Sequence, residues 1–129
     1  MRHKILVIDD EQIIRTLLVN FLSKNYEVVA KKNGMEALEW LEEDLPDLII
    51  CDIQMPVMGG YDFLGKLRNG GFTKRTPVIM LSGASELSED RVKCYKAGAQ
   101  YYLAKPFNPV ELTEIVKKNL EPIHYAVKW

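Results

Sequence analysis

The stretch KILVIDDE, residues 4–11, joins a short apolar run to three consecutive acidic residues. The apolar part is continuous and rich in branched side chains, which indicates a buried strand. Asp9, Asp10 and Glu11 repel one another because their carboxylates are neighbours in the chain. The presence of three neighbouring acids at the end of a buried strand, despite their repulsion, therefore requires a physical explanation.

The same apolar pattern returns four more times, separated by segments with helical spacing. Strands are predicted over residues 4–8, 26–30, 48–53, 77–81 and 101–104. Helices are predicted over residues 14–22, 35–45, 61–68, 86–97 and 110–120. This alternation predicts an α/β fold: a doubly wound, five-stranded parallel sheet of the flavodoxin-like (βα)5 type, in three α/β/α layers. We expect one domain over residues 1–120, followed by a tail or the start of a linker over residues 121–129.

Turn and capping residues agree with these boundaries. Asn33 and Gly34 mark a turn into the second helix, and Pro46 follows its predicted end. At the fifth helix, Asn108 can cap the first turn, and Pro109 fits the first helical position.

Composition and charge exclude several classes of function. A chain of 129 residues that is 47% hydrophobic and 27% charged fits one globular domain with its own core. The net charge of −1 gives no general attraction to nucleic acid, and no apolar run is long enough to cross a bilayer. Without a leader segment, a cytoplasmic protein that binds neither nucleic acid nor membrane directly is expected. Cys51 and Cys94 lack metal-ligand spacing and are expected to be buried, reduced thiols.

Polar side chains stand at the predicted carboxyl ends of four strands. They are Asp9 and Asp10 after the first strand, Asp52 at the third, Ser82 at the fourth and Lys105 at the fifth. Open parallel sheets bind ligands beyond these strand ends, so we expect the five side chains to converge on one crevice. Carboxylates about 4 Å apart repel by roughly 4 kcal/mol at an effective dielectric near 20, so the acids need a cation.

The chemistry of these groups points to phosphoryl transfer. Oxygen ligands with open positions suit Mg²⁺, which is usually completed by a phosphate. Asp52 can then accept a phosphoryl group as an acyl phosphate, while Lys105 and the Ser82 hydroxyl hold the phosphoryl oxygens. Taken singly, each residue also has an ordinary explanation: Asp10 or Glu11 as a helix-start acid, Asp52 as a turn residue, Lys105 as a solvated charge. Their joint placement is what favours a site.

The segments ILVIDDE, DLIICDIQMPVMGG, PVIMLSG and AGAQYYLAKPF resemble the receiver domain of two-component response regulators, in particular single-domain chemotaxis regulators, over residues 1–120. The resemblance implies that Asp52 is the phosphoacceptor. It also implies that Asp9 and Asp10 hold Mg²⁺ together with Asp52, and that Gln54 supplies a backbone carbonyl to the metal. Ser82 and Tyr102 would be switch residues, and Lys105 would pair with the phosphate.

Partners and regulation follow from the same resemblance. The donor would be a histidine kinase or a histidine phosphotransfer protein, and an output protein or domain would read the face built from the fourth helix, fifth strand and fifth helix. The family catalyses its own phosphorylation from phosphodonors and its own dephosphorylation, and a phosphorylation-dependent dimer is possible in it. The Lys105–Pro106 peptide bond is typically cis in this family.

Three departures and two alternatives accompany this interpretation. Gly59 stands where an acidic residue is common, so the third helix is expected to lack a side-chain cap. Gly83 would leave the pocket open to small phosphodonors, and Ala84 cannot order an attacking water. The alternatives are a degenerate receiver that acts as a phosphorylation-independent interaction module, and an aspartate-nucleophile phosphatase, which Gln54 disfavours because such enzymes carry a second acid there.

Overall fold

The computed structural model describes residues 2–83 and 88–121. The strands are β1 Lys4–Ile8, β2 Glu27–Lys31, β3 Leu48–Asp52, β4 Val78–Ser82 and β5 Tyr101–Ala104. The helices are α1 Gln12–Leu22, α2 Gly34–Leu41, α3 Gly60–Arg68, α4 Ser88–Lys96 and α5 Pro109–Leu120. Among the described residues, no helix is long and apolar enough to cross a membrane.

The five strands form one parallel sheet in the order β2-β1-β3-β4-β5. This confirms the predicted flavodoxin-like α/β fold. The strand order reverses between β1 and β3, and a doubly wound sheet opens a crevice at that point, beyond the carboxyl ends of its strands. Asp9 and Asp52 stand at the ends of these two neighbouring strands.

Successive residues of the buried strands point to opposite faces of the sheet and build two apolar cores. Leu6 and Ile8 of β1 pack with Phe63 and Leu67 of α3 on one face. On the other face the β1 residues Ile5 and Val7 pack with side chains from α1 and α5, which are Leu18, Leu22, Leu112, Ile115 and Val116. The two cores account for the three predicted layers.

The predicted end of the second helix was wrong. The helix ends at Leu41, although the apolar spacing extends to Leu45. The Asp44 carboxylate accepts hydrogen bonds from Lys4 Nζ at 2.6 Å and from the Leu45 amide at 2.8 Å, which favours a turn over another helical turn. Pro46 also disfavours a helical conformation at the residue before it. The other described element bounds lie within one or two residues of their predictions.

The predicted caps and thiols are confirmed where the structure describes them. The Asn108 side chain accepts from the Val110 amide at 2.8 Å, and Pro109 opens α5. Gly59 is the N-cap residue of α3 and contributes no side-chain hydrogen bond. Cys51 and Cys94 are buried and form no disulfide within the described residues, and burial raises the pKa of the Cys51 thiol well above its usual range.

Arg68, the last residue of α3, forms hydrogen bonds with the loops before β4 and β5, at the end of the sheet remote from Asp52. Its guanidinium donates to the carbonyls of Gly98 at 2.6 Å, Thr76 at 2.8 Å and Thr73 at 3.1 Å. It also donates to Gln100 Oε1 at 3.1 Å. The side chain therefore satisfies carbonyl groups in the loops that lead into β4 and β5.

We expect Arg68→Met to lower the free energy of unfolding by about 3 kcal/mol, because part-buried carbonyls lose a charged donor. Urea denaturation of both proteins measures the change. The matched control is Arg75→Met, because Arg75 is exposed and its loss should change the value by about 0.5 kcal/mol or less. Equal effects of the two substitutions would contradict this role of Arg68.

Candidate functional site

Three carboxylates meet at the carboxyl ends of β1 and β3. One oxygen from each of Asp9, Asp10 and Asp52 lies within 4.8 Å of the other two. Asp9 and Asp52 are buried, whereas Asp10 is exposed, so the cluster opens to solvent on one side. The adjacency of β1 and β3 in the sheet brings these residues together from positions far apart in the sequence.

Asp9 is fixed by contacts on both carboxylate oxygens. Its Oδ1 accepts from the Glu11 amide at 2.9 Å, and its Oδ2 lies 2.9 Å from Lys105 Nζ. The Asp9 carbonyl accepts from the Arg15 guanidinium at 2.7 Å. These contacts link the segment after β1 to Lys105 and α1, and the exposed Asp10 lies on the solvent side of the cluster.

Asp52 is a carboxyl whose environment changes its proton affinity. Its Oδ1 accepts from the Gln54 amide at 3.2 Å, and its Oδ2 lies 3.3 Å from Lys105 Nζ. Burial, together with the negative charge of Asp9, raises the pKa of Asp52 to about 6, although Lys105 opposes the shift. Ionisation of Asp52 in the folded protein thus costs free energy, and a further cation would reduce that cost.

Lys105 is the cation that the structure places among these acids. Besides Asp9 and Asp52 it contacts Glu11, at 3.2 Å from Nζ to Oε1, and its side chain is only 10% exposed. Burial disfavours the charged ammonium, but the close contact with the Asp9 carboxylate and the other nearby carboxylates raise the pKa of Lys105 above its usual range. The Lys105–Pro106 peptide bond is cis, as the resemblance implies.

The donor set fits a hard divalent cation. The cluster offers carboxylate oxygens, and Lys105 with the nearby Arg15 does not balance the four acids, which leaves net negative charge beside an open face. Mg²⁺ prefers oxygen ligands and retains waters, so a site with two or three carboxylates on an open edge suits it. The carboxylates that could hold it are Asp9, Asp10 and Asp52.

Ser82 and Tyr102 line the neighbouring part of the sheet. Ser82 ends β4 and is buried, and its carbonyl accepts from the Lys105 amide at 2.7 Å. Tyr102 is only 3% exposed, and its hydroxyl has no hydrogen-bond partner within residues 2–83 and 88–121. The Arg91 guanidinium lies 5.4 Å from the centre of the Tyr102 ring. Arg91 and Tyr102 line a cavity of about 410 Å³ bordered by α4, β5 and α5.

Three features of the site were not assigned from the sequence. Glu11 contacts Lys105, and the run of three acids was the only signal for it. Gly60 lies so close to β3 that an added Cβ would stand 2.5 Å from the Asp52 carbonyl oxygen. Val57 has a φ of 72°, a conformation that a β-branched residue rarely adopts. The prediction for Ala84 falls outside the described residues.

Comparison with known proteins gives a consistent result. Residues 5–117 match the family model of the response regulator receiver domain. Response regulator Rre1 of Synechocystis is 39% identical over 118 residues, which cover 90% of this chain and 51% of Rre1. The chain thus spans about half the length of the curated relatives it matches.

Solved structures of similar proteins share the fold over nearly the whole chain. A putative response regulator from Chloroflexus aurantiacus superposes with a TM-score of 0.87 at 36% identity and covers 93% of this chain and 98% of its own. CheY4 of Vibrio cholerae gives 0.86 at 34%, with 93% and 100% covered. The receiver domain of the Pseudomonas aeruginosa sensor kinase PA1611 gives 0.84 at 31%, with 93% and 98% covered, and contains a magnesium ion in its active-site cleft.

Proposed function

Because this chain belongs to the response regulator receiver domain family of two-component signalling, we propose that it accepts a phosphoryl group on Asp52 and switches a partner in response. The observation that carries the proposal is the position of Asp52. It is a buried carboxylate at a strand end, 3.3 Å from Lys105 and within the acidic cluster. A buried carboxyl with a raised pKa beside a specific charge partner is typical of a functional site.

Asp52 acts as the nucleophile of the transfer. One carboxylate oxygen forms a bond to phosphorus while the bond from phosphorus to the donor breaks, and the donor leaves with the electron pair. Lys105, already paired with Asp52, neutralises charge on the phosphoryl oxygens, and Ser82 is proposed to donate its hydroxyl to one of them. Hydrolysis of the acyl phosphate by water returns Asp52 to its carboxylate form.

Mg²⁺ is the proposed cofactor of both steps. Asp9, Asp10 and Asp52 would hold it with the backbone carbonyl of Gln54, and when bound it would neutralise negative charge on the phosphoryl group. The amide of Gln54 already bonds the Asp52 carboxylate at 3.2 Å, which keeps this loop close to the acids. Asp9 is in turn oriented by Lys105 and the Glu11 amide.

The switch is proposed to run from Ser82 to Tyr102. A phosphoryl group on Asp52 would attract the Ser82 hydroxyl and alter the space beside β5, where Tyr102 packs. Tyr102 borders the cavity between α4, β5 and α5, so a change in its position alters that face. A partner that prefers one form of the face would shift the equilibrium between the two forms.

The proposed partners are those of a signalling module. A histidine kinase, or a histidine phosphotransfer protein, is the proposed donor, and an output protein or domain is the proposed reader. We place the receiver at residues 1–120 and a tail or linker at 121–129, since α5 ends at Leu120. Phosphotransfer from purified histidine kinases, compared at short reaction times, would identify the donor, and equally slow transfer from all of them would count against a kinase partner.

The decisive experiment is intact-mass spectrometry after incubation with acetyl phosphate, with and without Mg²⁺. We expect one phosphoryl adduct that requires Mg²⁺ and disappears in Asp52→Asn, because the amide is not a nucleophile. Asp62→Asn is the control, because Asp62 is an exposed acid of α3 outside the cluster. No adduct on the wild type from acetyl phosphate or from any kinase would favour the phosphorylation-independent interaction module.

Mg²⁺ is expected to stabilise the protein, because it relieves the repulsion among the clustered carboxylates. At a concentration about 100 times its dissociation constant the gain is about 2.7 kcal/mol, which raises the melting temperature by several degrees. Asp10→Asn should melt higher than wild type in EDTA and respond less to Mg²⁺, because it removes one of the repelling charges. Glu36→Gln is the control and should keep the full response. A wild-type melt that ignores Mg²⁺ would contradict the metal site.

A further inference from the structure

A surface at the end of the molecule remote from Asp52 combines an apolar groove with charges of both signs. The groove has a volume of about 230 Å³ and lies between the carboxyl-terminal ends of α2 and α3 and the loop that follows α3. We define the Phe72 patch as the apolar residues Leu45 and Phe72 at this groove with the charged residues around them, Glu42, Glu43, Lys66, Lys74 and Arg75.

The apolar part of the Phe72 patch is unusually exposed. Phe72 is 87% exposed and Leu45 is 46% exposed, and both line the groove. Arg68 anchors the loop just beyond Phe72 through the carbonyls of Thr73 and Thr76. A large apolar side chain presented on an anchored loop beside an apolar groove is typical of an interaction site.

The charges of the patch are divided between its two sides. Glu42 and Glu43 follow α2 on one side, whereas Lys66 of α3 and the loop residues Lys74 and Arg75 are on the other. All five are exposed, and none forms an ion pair with another residue in the described ranges 2–83 and 88–121. A matching surface must therefore carry both signs in the opposite arrangement, around an apolar centre.

We propose that the Phe72 patch binds the same patch of a second copy of this chain through a two-fold interface. In a two-fold interface, a contact between one residue of the first copy and another residue of the second copy is repeated with the two copies exchanged. The acids after α2 of one copy then face the basic residues of the partner copy. By symmetry, the basic residues of the first copy face the acids of the partner copy. Phe72 of each copy enters the groove of the other beside Leu45.

This association goes beyond the proposed phosphoryl chemistry and does not depend on it. The patch lies where α2 and α3 end, which is the amino-terminal edge of the strands, whereas Asp52 lies at their carboxyl ends. A second copy bound there leaves the acidic cluster and the face of α4, β5 and α5 accessible. Asp52→Asn is therefore expected to associate as strongly as wild type.

Sedimentation-velocity analysis across a concentration series tests the proposal. We expect a monomer–dimer equilibrium that weakens at high salt, and a dissociation constant raised at least about tenfold by Phe72→Ser. The control is Val110→Ser, because Val110 is 67% exposed on α5, away from the patch, and should leave the constant unchanged. A wild-type protein that stays monomeric up to about 1 mM, or a dimer weakened by Val110→Ser and not by Phe72→Ser, would overturn the proposal.

Variants with exchanged charges distinguish binding of a second copy from binding of any other partner at the Phe72 patch. The variant Glu42→Lys with Glu43→Lys makes the patch basic, and the variant Lys74→Glu with Arg75→Glu makes it acidic. Each variant alone should be monomeric because like charges face each other, whereas an equimolar mixture should form a heterodimer. A mixture that stays monomeric while the wild type dimerises would show that the dimer forms elsewhere.

Discussion

Replacing Lys105 with methionine is expected to lower the free energy of unfolding of the metal-free protein by about 3–5 kcal/mol. Methionine has a similar shape and no charge, so Asp9 and Asp52 lose the cation that contacts both. Asp9 is completely buried and the Asp52 side chain is 5% exposed, so solvent cannot replace the ammonium. Chemical denaturation in EDTA measures the loss.

The pH dependence of this loss has a definite sign. The pKa of Asp52 is already raised to about 6, and removing Lys105 raises it further. A carboxyl with a raised pKa binds more protons in the folded state than in the unfolded state. The free energy of unfolding therefore falls as the pH increases from the unfolded-state pKa of Asp52 through its raised folded-state pKa. The difference between wild type and Lys105→Met should thus be larger at pH 8 than at pH 5.

Two comparisons determine whether the effect arises in the acidic cluster. Lys32→Met removes an exposed lysine that pairs with Glu36 at the surface, and should change stability by about 0.5 kcal/mol or less. Mg²⁺ should recover part of the stability lost in Lys105→Met, because it supplies positive charge to the same carboxylates. The variant should also take up phosphoryl groups about 100-fold more slowly. A loss that is independent of pH and unaffected by Mg²⁺ would point to packing instead.

The fold was predictable because the central strands β1, β3 and β4 are buried on both faces and carry polar residues only at their ends. The bounds of β1 and β5 agree with the apolar runs residue by residue. The end of α2 was not predictable from spacing, since Leu45 continues the apolar pattern. The early end of α2 is favoured by a contact between Asp44 and Lys4, which are 40 residues apart in the chain.

The grouping of Asp9, Asp10 and Asp52 with Lys105 was also predictable, but the energetics of the group were not. Strand order alone brings Asp9 and Asp52 to adjacent strand ends, so topology was enough to group them. The raised pKa of Asp52 and the threefold pairing of Lys105 depend on burial and on the distances of 2.9 Å, 3.2 Å and 3.3 Å from Lys105 Nζ to the three carboxylates. Such quantities follow from packing among several elements, which no pattern along one segment contains.

The glycine pair in VMGG illustrates the same limit and supplies the second large prediction. Gly60, at the start of α3, leaves no room for a side chain: an added Cβ would lie 2.5 Å from the Asp52 carbonyl oxygen and 2.8 Å from Ile53 Cα. Both are backbone atoms of the β3 end and cannot rotate away as a side chain would. Gly60→Ala is therefore expected to lower the free energy of unfolding by about 3 kcal/mol, the upper range for overpacking.

Gly65 of the same helix is the matched control, because an added Cβ there would meet no described atom within 4 Å. Gly65→Ala should stabilise the protein by about 1 kcal/mol, since alanine favours a helix interior. Opposite signs for one substitution in one helix isolate the contact with β3 from helix propensity. If Gly60→Ala folds with nearly wild-type stability, α3 must move away from Asp52, and phosphoryl uptake from acetyl phosphate should then fall while Gly65→Ala keeps the wild-type rate. Equal stability and equal uptake in both variants would show that Gly60 does not position the phosphoacceptor.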